Sequence, residues 1–128
     1  MLLSRPGRAA ALAAAWTALG STAAADAELA AGERVFRNQC MGCHAVEAGL
    51  NRAGPTLHGL FGRKAGSLEG FNYSRAMREA DLVWTPETLD AFLAEPNAVV
   101  PGTIMVFWGL RSDDRRRVIA YLEAAAAE

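Results

Sequence analysis

The chain has 128 residues, of which 52% are hydrophobic and 21% charged, and its formal net charge is −1. That length and composition suit one ordinary globular domain. The lack of a strongly basic balance excludes nucleic acid as a partner.

The first segment carries Arg5 and Arg8, then an uncharged Ala/Leu/Trp run over Ala9 to Gly20, then Ser21-Thr22-Ala23-Ala24-Ala25, before the first acid at Asp26. Charged, apolar and small residues in that order describe a secretory signal peptide. Residues 1–25 are therefore read as a leader cleaved after Ala25, and residues 26–128 as the mature domain. The alternative is an uncleaved anchor that leaves the domain facing the periplasm. The uncharged run is largely alanine, however, and is shorter than the ~20 apolar residues a spanning helix needs. Cleavage removes two arginines and no acid, which brings the net charge to −3. The expected location is the periplasm.

From Asp26 to Gln39, helical spacing places Leu29, Gly32, Val35, Phe36 and Cys40 on or near one face. Glycine inside a helix costs about 1 kcal/mol against alanine, so Gly32 implies that another helix comes close. At the end of this helix stand Cys40-Met41-Gly42-Cys43-His44. Two cysteines two residues apart, followed directly by a histidine, read as a c-type haem attachment site. Each thiol adds across one vinyl group of a single porphyrin, so the sulfurs must reach two fixed points on one ring edge. The histidine then falls beneath the ring, where an imidazole nitrogen can bind iron. These are the chain's two cysteines, so they belong to no larger disulfide framework. A thioredoxin-like dithiol role lacks its βαβ pattern. A zinc site adding His44 and His58 fails because Cys43 and His44 are adjacent. His58 is read as a surface residue.

Glu47 to Gly70 holds six glycines and Pro55 without a sustained period. It reads as a long irregular loop that wraps something functional. Asn72-Tyr73-Ser74 opens a short helix running through about Asp81. Thr85-Pro86-Glu87 starts another, with Leu89, Phe92 and Leu93 inward and Pro96 as its stop. Pro101 to Met105 forms a second loop. Ser112-Asp113-Asp114 caps the last helix, whose inward face is Val118, Ile119, Tyr121 and Leu122. Arg115-Arg116-Arg117 on that helix reads as a solvated face. No β-alternation of useful length occurs, so the class is all-α.

Over roughly Leu29 to Leu122 the sequence resembles the class I (mitochondrial and bacterial) cytochromes c. The resemblance is carried by the haem motif and, in order after it, by Gly54-Pro55-Thr56-Leu57-His58-Gly59-Leu60-Phe61-Gly62-Arg63-Lys64, by Trp84 with the following helix, and by Pro101-Gly102-Thr103-Ile104-Met105-Val106-Phe107. It implies a small helical domain whose first and last helices cross, with Gly32 and Phe36 against Tyr121, and with the haem in a loop-wrapped pocket. It implies one haem c, bound covalently through Cys40 and Cys43, with iron held between His44 and Met105. Without the resemblance a methionine is core filler, but Met105 alone of the four follows a Pro-Gly turn. A His/Met pair raises the potential relative to two nitrogens.

The same resemblance implies that the Pro55 carbonyl accepts from the free N–H of His44. Tyr73 and Trp84 bond a buried propionate, and Arg63 helps to compensate its charge. Thr103 lies near the methionine sulfur and the propionate. Some positions depart from the family. Phe92 stands where many members have a tyrosine that bonds the methionine sulfur, so that donor is expected to be missing. Asn97 to Val100 and Ile104 replace lysines around the haem edge, so a basic docking ring is not expected. Trp108 stands where a small residue is usual.

The implied function is that of a monohaem one-electron carrier, a monomer serving redox protein partners. With two axial ligands the iron has no open site, so no enzyme activity is expected. A membrane is met only in transient docking, or if the leader stays on. The alternative is the haem subunit or membrane-tethered partner of a dehydrogenase or oxidase complex, which Trp108 and the apolar Val99, Val100 and Ile104 would suit.

Overall fold

A computed structural model describes residues 18–127; most of the expected leader lies outside the described residues. Five helices follow in order: α1 (Ala18–Gln39), α2 (Arg75–Glu79), α3 (Pro86–Ala94), α4 (Pro96–Val99) and α5 (Ser112–Ala125). Among the described residues there is no strand, and Lys64 and Val83 form an isolated antiparallel bridge. The chain is all-α.

Helices α1 and α5 cross at Gly32, as the glycine implied. A Cβ there would lie 2.1 Å from the Arg117 carbonyl oxygen and 2.8 Å from Tyr121 Cβ. One turn on, the Phe36 and Tyr121 rings meet at 5.5 Å, tilted by 42°. Val118, Ile119 and Leu122 of α5 and Leu89, Phe92 and Leu93 of α3 are buried, while Tyr121 is half-buried. Burial of side chains this size contributes about 1.5–3 kcal/mol each. Together with Phe36, Leu60 and Trp84 they form one core.

Boundaries differ from expectation in ways with local causes. Within the described residues, helix α1 already includes Ala18, ahead of Asp26, and runs through the expected cleavage point. Its residues 20–27 are all exposed. Helix α2 is shorter than expected because Ser74 is extended (ψ 157°) and its hydroxyl accepts from Met77 N–H. Pro96 ends α3 but also starts a new turn. A residue before proline is driven out of the helical region, and Glu95 takes φ −153°; proline then suits the first position of α4.

The start of α3 carries a reciprocal cap. Thr85 Oγ1 accepts from Thr88 N–H at 3.1 Å while Thr88 Oγ1 accepts from Thr85 N–H at 2.8 Å. Ser112, by contrast, does not cap α5. Arg111 holds the cap position without a side-chain bond, and Asp113 and Asp114 act through the helix dipole.

The Arg115–Arg117 run is more than a solvated face. Arg115 pairs with Asp90 of α3 at 2.8 Å and is largely buried, with 18% of its side chain exposed. Arg116 and Arg117 reach Glu28 of α1 at 2.8 and 3.6 Å. These arginines join α5 to both of its neighbours.

Candidate functional site

The core encloses a cavity of about 400 Å³, and every expected site residue lines it: Cys40, Cys43, His44, Pro55, Arg63, Tyr73, Trp84, Thr103 and Met105. Most of its remaining wall is apolar, from Leu57, Leu60, Leu89, Phe92 and Leu93.

One side is built by the end of α1 and the loop after it. The N–H groups of Cys43 and His44 both return to the Cys40 carbonyl, at 3.1 and 2.9 Å, so the motif folds as a tight turn. Gly54 N–H then donates to Cys43 O at 2.8 Å and brings the second strand of loop alongside. His44 Nδ1 lies 2.7 Å from the Pro55 carbonyl. A carbonyl has no proton to give, so Nδ1 carries the hydrogen and Nε2 keeps its lone pair, the arrangement of a metal-ligating imidazole. Burial pushes the imidazole pKa below its ordinary value, the Pro55 bond acts against that, and the Arg63 charge adds to it. The ring is therefore held neutral, as a ligand must be. Cys40 is half-buried and Cys43 exposed. Burial pushes the Cys40 thiol up to about 11.

Gly54 is a site residue that the motif reading passed over. A Cβ on it would lie 2.2 Å from His44 Cε1 and 2.7 Å from Nε2. The imidazole can occupy its place only because that position has no side chain. Its place directly before Pro55 was the available signal.

The opposite side is the loop between α4 and α5. Gly102 (φ 83°) and Gly109 (φ 91°) turn it at either end with backbone that favours glycine. Thr103 N–H donates to Val100 O at 3.0 Å, and Leu110 N–H to Leu93 O at 2.9 Å. Between these clips Met105 is half-buried, its N–H donating to Thr103 Oγ1 at 3.3 Å. Thr103 thus holds the methionine's backbone. Arg115 adds a tie that the sequence did not disclose, donating to Leu110 O at 2.7 Å while paired with Asp90. Phe92, in the place of the family's tyrosine, lines the same cavity edge-on to Trp84 with centroids 5.1 Å apart.

The polar residues of the wall fit an anionic group. Neither the Trp84 indole N–H nor the Tyr73 hydroxyl has a hydrogen-bond partner in the protein among the described residues. Buried Trp and Tyr usually find one. Arg63 gives two N–H groups to backbone carbonyls, Thr56 at 3.0 Å and His58 at 3.1 Å, which leaves the rest of its fork free. A carboxylate carried on an apolar ring would take up these donors, while the ring itself would fill the apolar wall. The residues present fit a haem: thiols to tether it, His44 and Met105 as iron ligands of opposite sides, and Tyr73, Trp84 and Arg63 for a propionate. His58 is half-buried away from the cavity lining, and among the described residues no cluster of His, Cys, Asp and Glu could hold a bare metal ion.

Comparison with known proteins gives a consistent picture. The profile of the cytochrome c family matches residues 29–126. The chain is 46% identical to cytochrome c type-1 of Ascaris suum over 93 residues, which cover 72% of this chain and 83% of that protein. It is 40% identical to cytochrome c2 of Blastochloris viridis over 107 residues, 82% and 84% of the two chains. It is 48% identical to cytochrome c2 iso-2 of Magnetospirillum molischianum over 85 residues, 66% and 88% of the two chains.

Proposed function

The chain belongs to the cytochrome c family, and from that premise we propose that it carries single electrons in an exported, periplasmic redox chain, its iron held between His44 and Met105. Membership brings one haem c attached through Cys40 and Cys43, and with it electron carriage between redox partners. When bound, the haem supplies an iron that takes up one electron and gives one up, with no bond made or broken in a substrate.

The observation that carries the ligand assignment is the meeting of both thiols, His44 and Met105 in the wall of one cavity. His44 offers Nε2 because Pro55 takes its other nitrogen. Met105 offers a thioether from a loop fixed at both ends, and such a ligand favours the reduced iron. Tyr73, Trp84 and Arg63 would hold a propionate, which would let a carboxylate sit away from water. The apolar wall would keep solvent off the iron. His44 and Met105 would both be given to the iron, which would leave it no position for a substrate, so the reading is a carrier rather than an enzyme.

Export is supported by the order of residues 1–25 and by the exposure of residues 20–25, which means cleavage after Ala25 takes nothing from the core. No helix among the described residues is long and apolar enough to cross a membrane. The carrier acts as a monomer.

The holoprotein from its natural source should keep its haem through a denaturing gel. In the oxidised protein, Met105→Ala should abolish the methionine–iron charge-transfer absorbance; if the band persists, Met105 is not the ligand. N-terminal sequencing of the isolated protein should begin at Asp26, and a retained Met1 would reverse the export reading.

A further inference from the structure

Along the loop that presents Met105, burial alternates with period two. Residues 103, 105, 107 and 109 are half-buried, and 104, 106 and 108 are exposed. Extended backbone sends successive side chains to opposite faces, so the same register that turns Met105 and Phe107 inward leaves Ile104, Val106 and Trp108 outward. Their exposures are 74%, 91% and 97%. The other exposed large hydrophobics among the described residues, Met41, Leu50 and Val83, are each below half and lie on three separate segments. Three neighbouring apolar side chains left this open in water mark an interaction site rather than ordinary surface scatter.

We propose that this outward strip is the docking surface for a redox partner whose own electron-exit edge is ringed by uncharged, apolar side chains. The proposal rests on the electron-carrier reading and names the chemistry of the carrier's partner. Continuity gives the place, since Ile104 and Val106 also line the cavity and a partner seated on them is next to the cofactor's edge. Charge gives the chemistry. Arg63 is the charged residue of the cavity lining, and it is engaged with the Thr56 and His58 carbonyls. The chain's single lysine, Lys64, lies in the bridge to Val83. No other arginine or lysine and no carboxylate is among the lining residues, so the strip itself presents an uncharged face, and the exposed Arg75, Arg78 and Arg111 lie on the neighbouring segments.

Area gives the lifetime. Three such side chains present on the order of a few hundred Å², whereas a stable interface takes about 800 Å² from each side and brief redox encounters form with less. That favours a partner that arrives, exchanges and leaves over a second copy or a permanent complex. The clips at Thr103 and Leu110 hold the strip in place beforehand, so little order is lost on docking.

The test uses the holoprotein and two blue-copper proteins of similar potential, one with an uncharged apolar patch over its exposed copper ligand and one with an acidic patch. Electron transfer to the apolar probe should be the faster, and should change less than about twofold from about 10 to about 300 mM salt. Trp108→Ser should slow it about tenfold, the effect of removing an aromatic anchor, while Trp108→Phe keeps most of the rate. Oxidation by hexacyanoferrate should be unchanged in both variants, which shows that the haem site is intact. The proposal is overturned if the acidic probe reacts faster with a steep salt dependence, or if Trp108→Ser reacts at the wild-type rate. It is also overturned if Trp108→Ser abolishes a dimer seen by sedimentation, or abolishes binding to phosphatidylcholine or phosphatidylglycerol vesicles, which would give the strip to a second copy or to a bilayer. A protein that carries no covalent haem, or fails to respond to hexacyanoferrate, would instead refute the carrier reading itself.

Discussion

On the histidine side of the cavity, consecutive backbone groups close on one another: Cys43 and His44 N–H on Cys40 O, Gly54 N–H on Cys43 O, and His44 Nδ1 on Pro55 O. On the methionine side, Met105 hangs from a 3.3 Å bond to Thr103, in a loop clipped at Thr103 and Leu110. The first side has a half-buried ring held by Pro55 and packed against Gly54. The second is a loop whose outward residues are almost wholly in water. Stability is not uniform across a fold, and segments with few buried contacts open first. On the proposed ligation, the histidine side would anchor the cofactor, and the methionine side would be where ligation is lost first.

Gly54→Ala puts the largest strain on this contrast. The added Cβ would overlap an imidazole that Pro55 prevents from moving, so destabilisation of about 3 kcal/mol or more is expected, with poor haem incorporation. Denaturant unfolding and the yield of covalent haem measure it, and a wild-type yield would show that the histidine side is not tightly fitted. Arg115→Gln should act on the other side only. It removes the tie from α5 to Leu110 and Asp90, a loss on the order of 2 kcal/mol. The methionine–iron absorbance should then vanish at a lower denaturant concentration than helical signal does. Loss of both signals together would mean that the two sides unfold as one.

Acid should weaken the histidine side. The folded His44 binds its proton less readily than the unfolded residue does, because burial lowers its pKa. Its contribution is thus fully present above the ordinary imidazole value of about 6.5 and is lost as pH falls below it, by at most about 1.4 kcal/mol per pH unit. Denaturation midpoints at pH 7 and pH 5 test the sign. A smaller change is expected from Thr103→Val, which removes the bond to Met105 N–H and should cost about 1 kcal/mol in the stability of the loop alone. It would appear as an earlier loss of the methionine–iron band with the global midpoint nearly unmoved.

How much of this could be read beforehand follows the same division. The haem motif is a run of five residues whose spacing is its chemistry, so Cys40, Cys43 and His44 were visible at once. The helix cores of α3 and α5 were visible too, because the burial of Leu89, Phe92, Leu93, Val118, Ile119 and Leu122 repeats at helical spacing. Gly32 was legible as a contact and needed the fold only to name Arg117 and Tyr121 as what it meets. That Met105, Tyr73, Trp84 and Arg63 gather around one cavity was legible only through family resemblance, since each is a common residue type with an ordinary use elsewhere.

What stayed hidden depends on neighbours far apart in the chain. Arg115 looked like part of a solvated run until Asp90 and Leu110 came beside it. Ser112 looked like a cap, yet the helix start took Arg111 in that position. Trp108 could be noticed as unusual, but its openness to water was set by the register of the whole loop. Local chemistry, meaning which groups tether a haem and which faces are apolar, is written in adjacent residues and periods, and the sequence by itself determined it. The closing of Gly54 over the imidazole, the tie from Arg115 and the outward turn of Ile104, Val106 and Trp108 were decided only by tertiary structure, because each depends on which distant segment fills the neighbouring space.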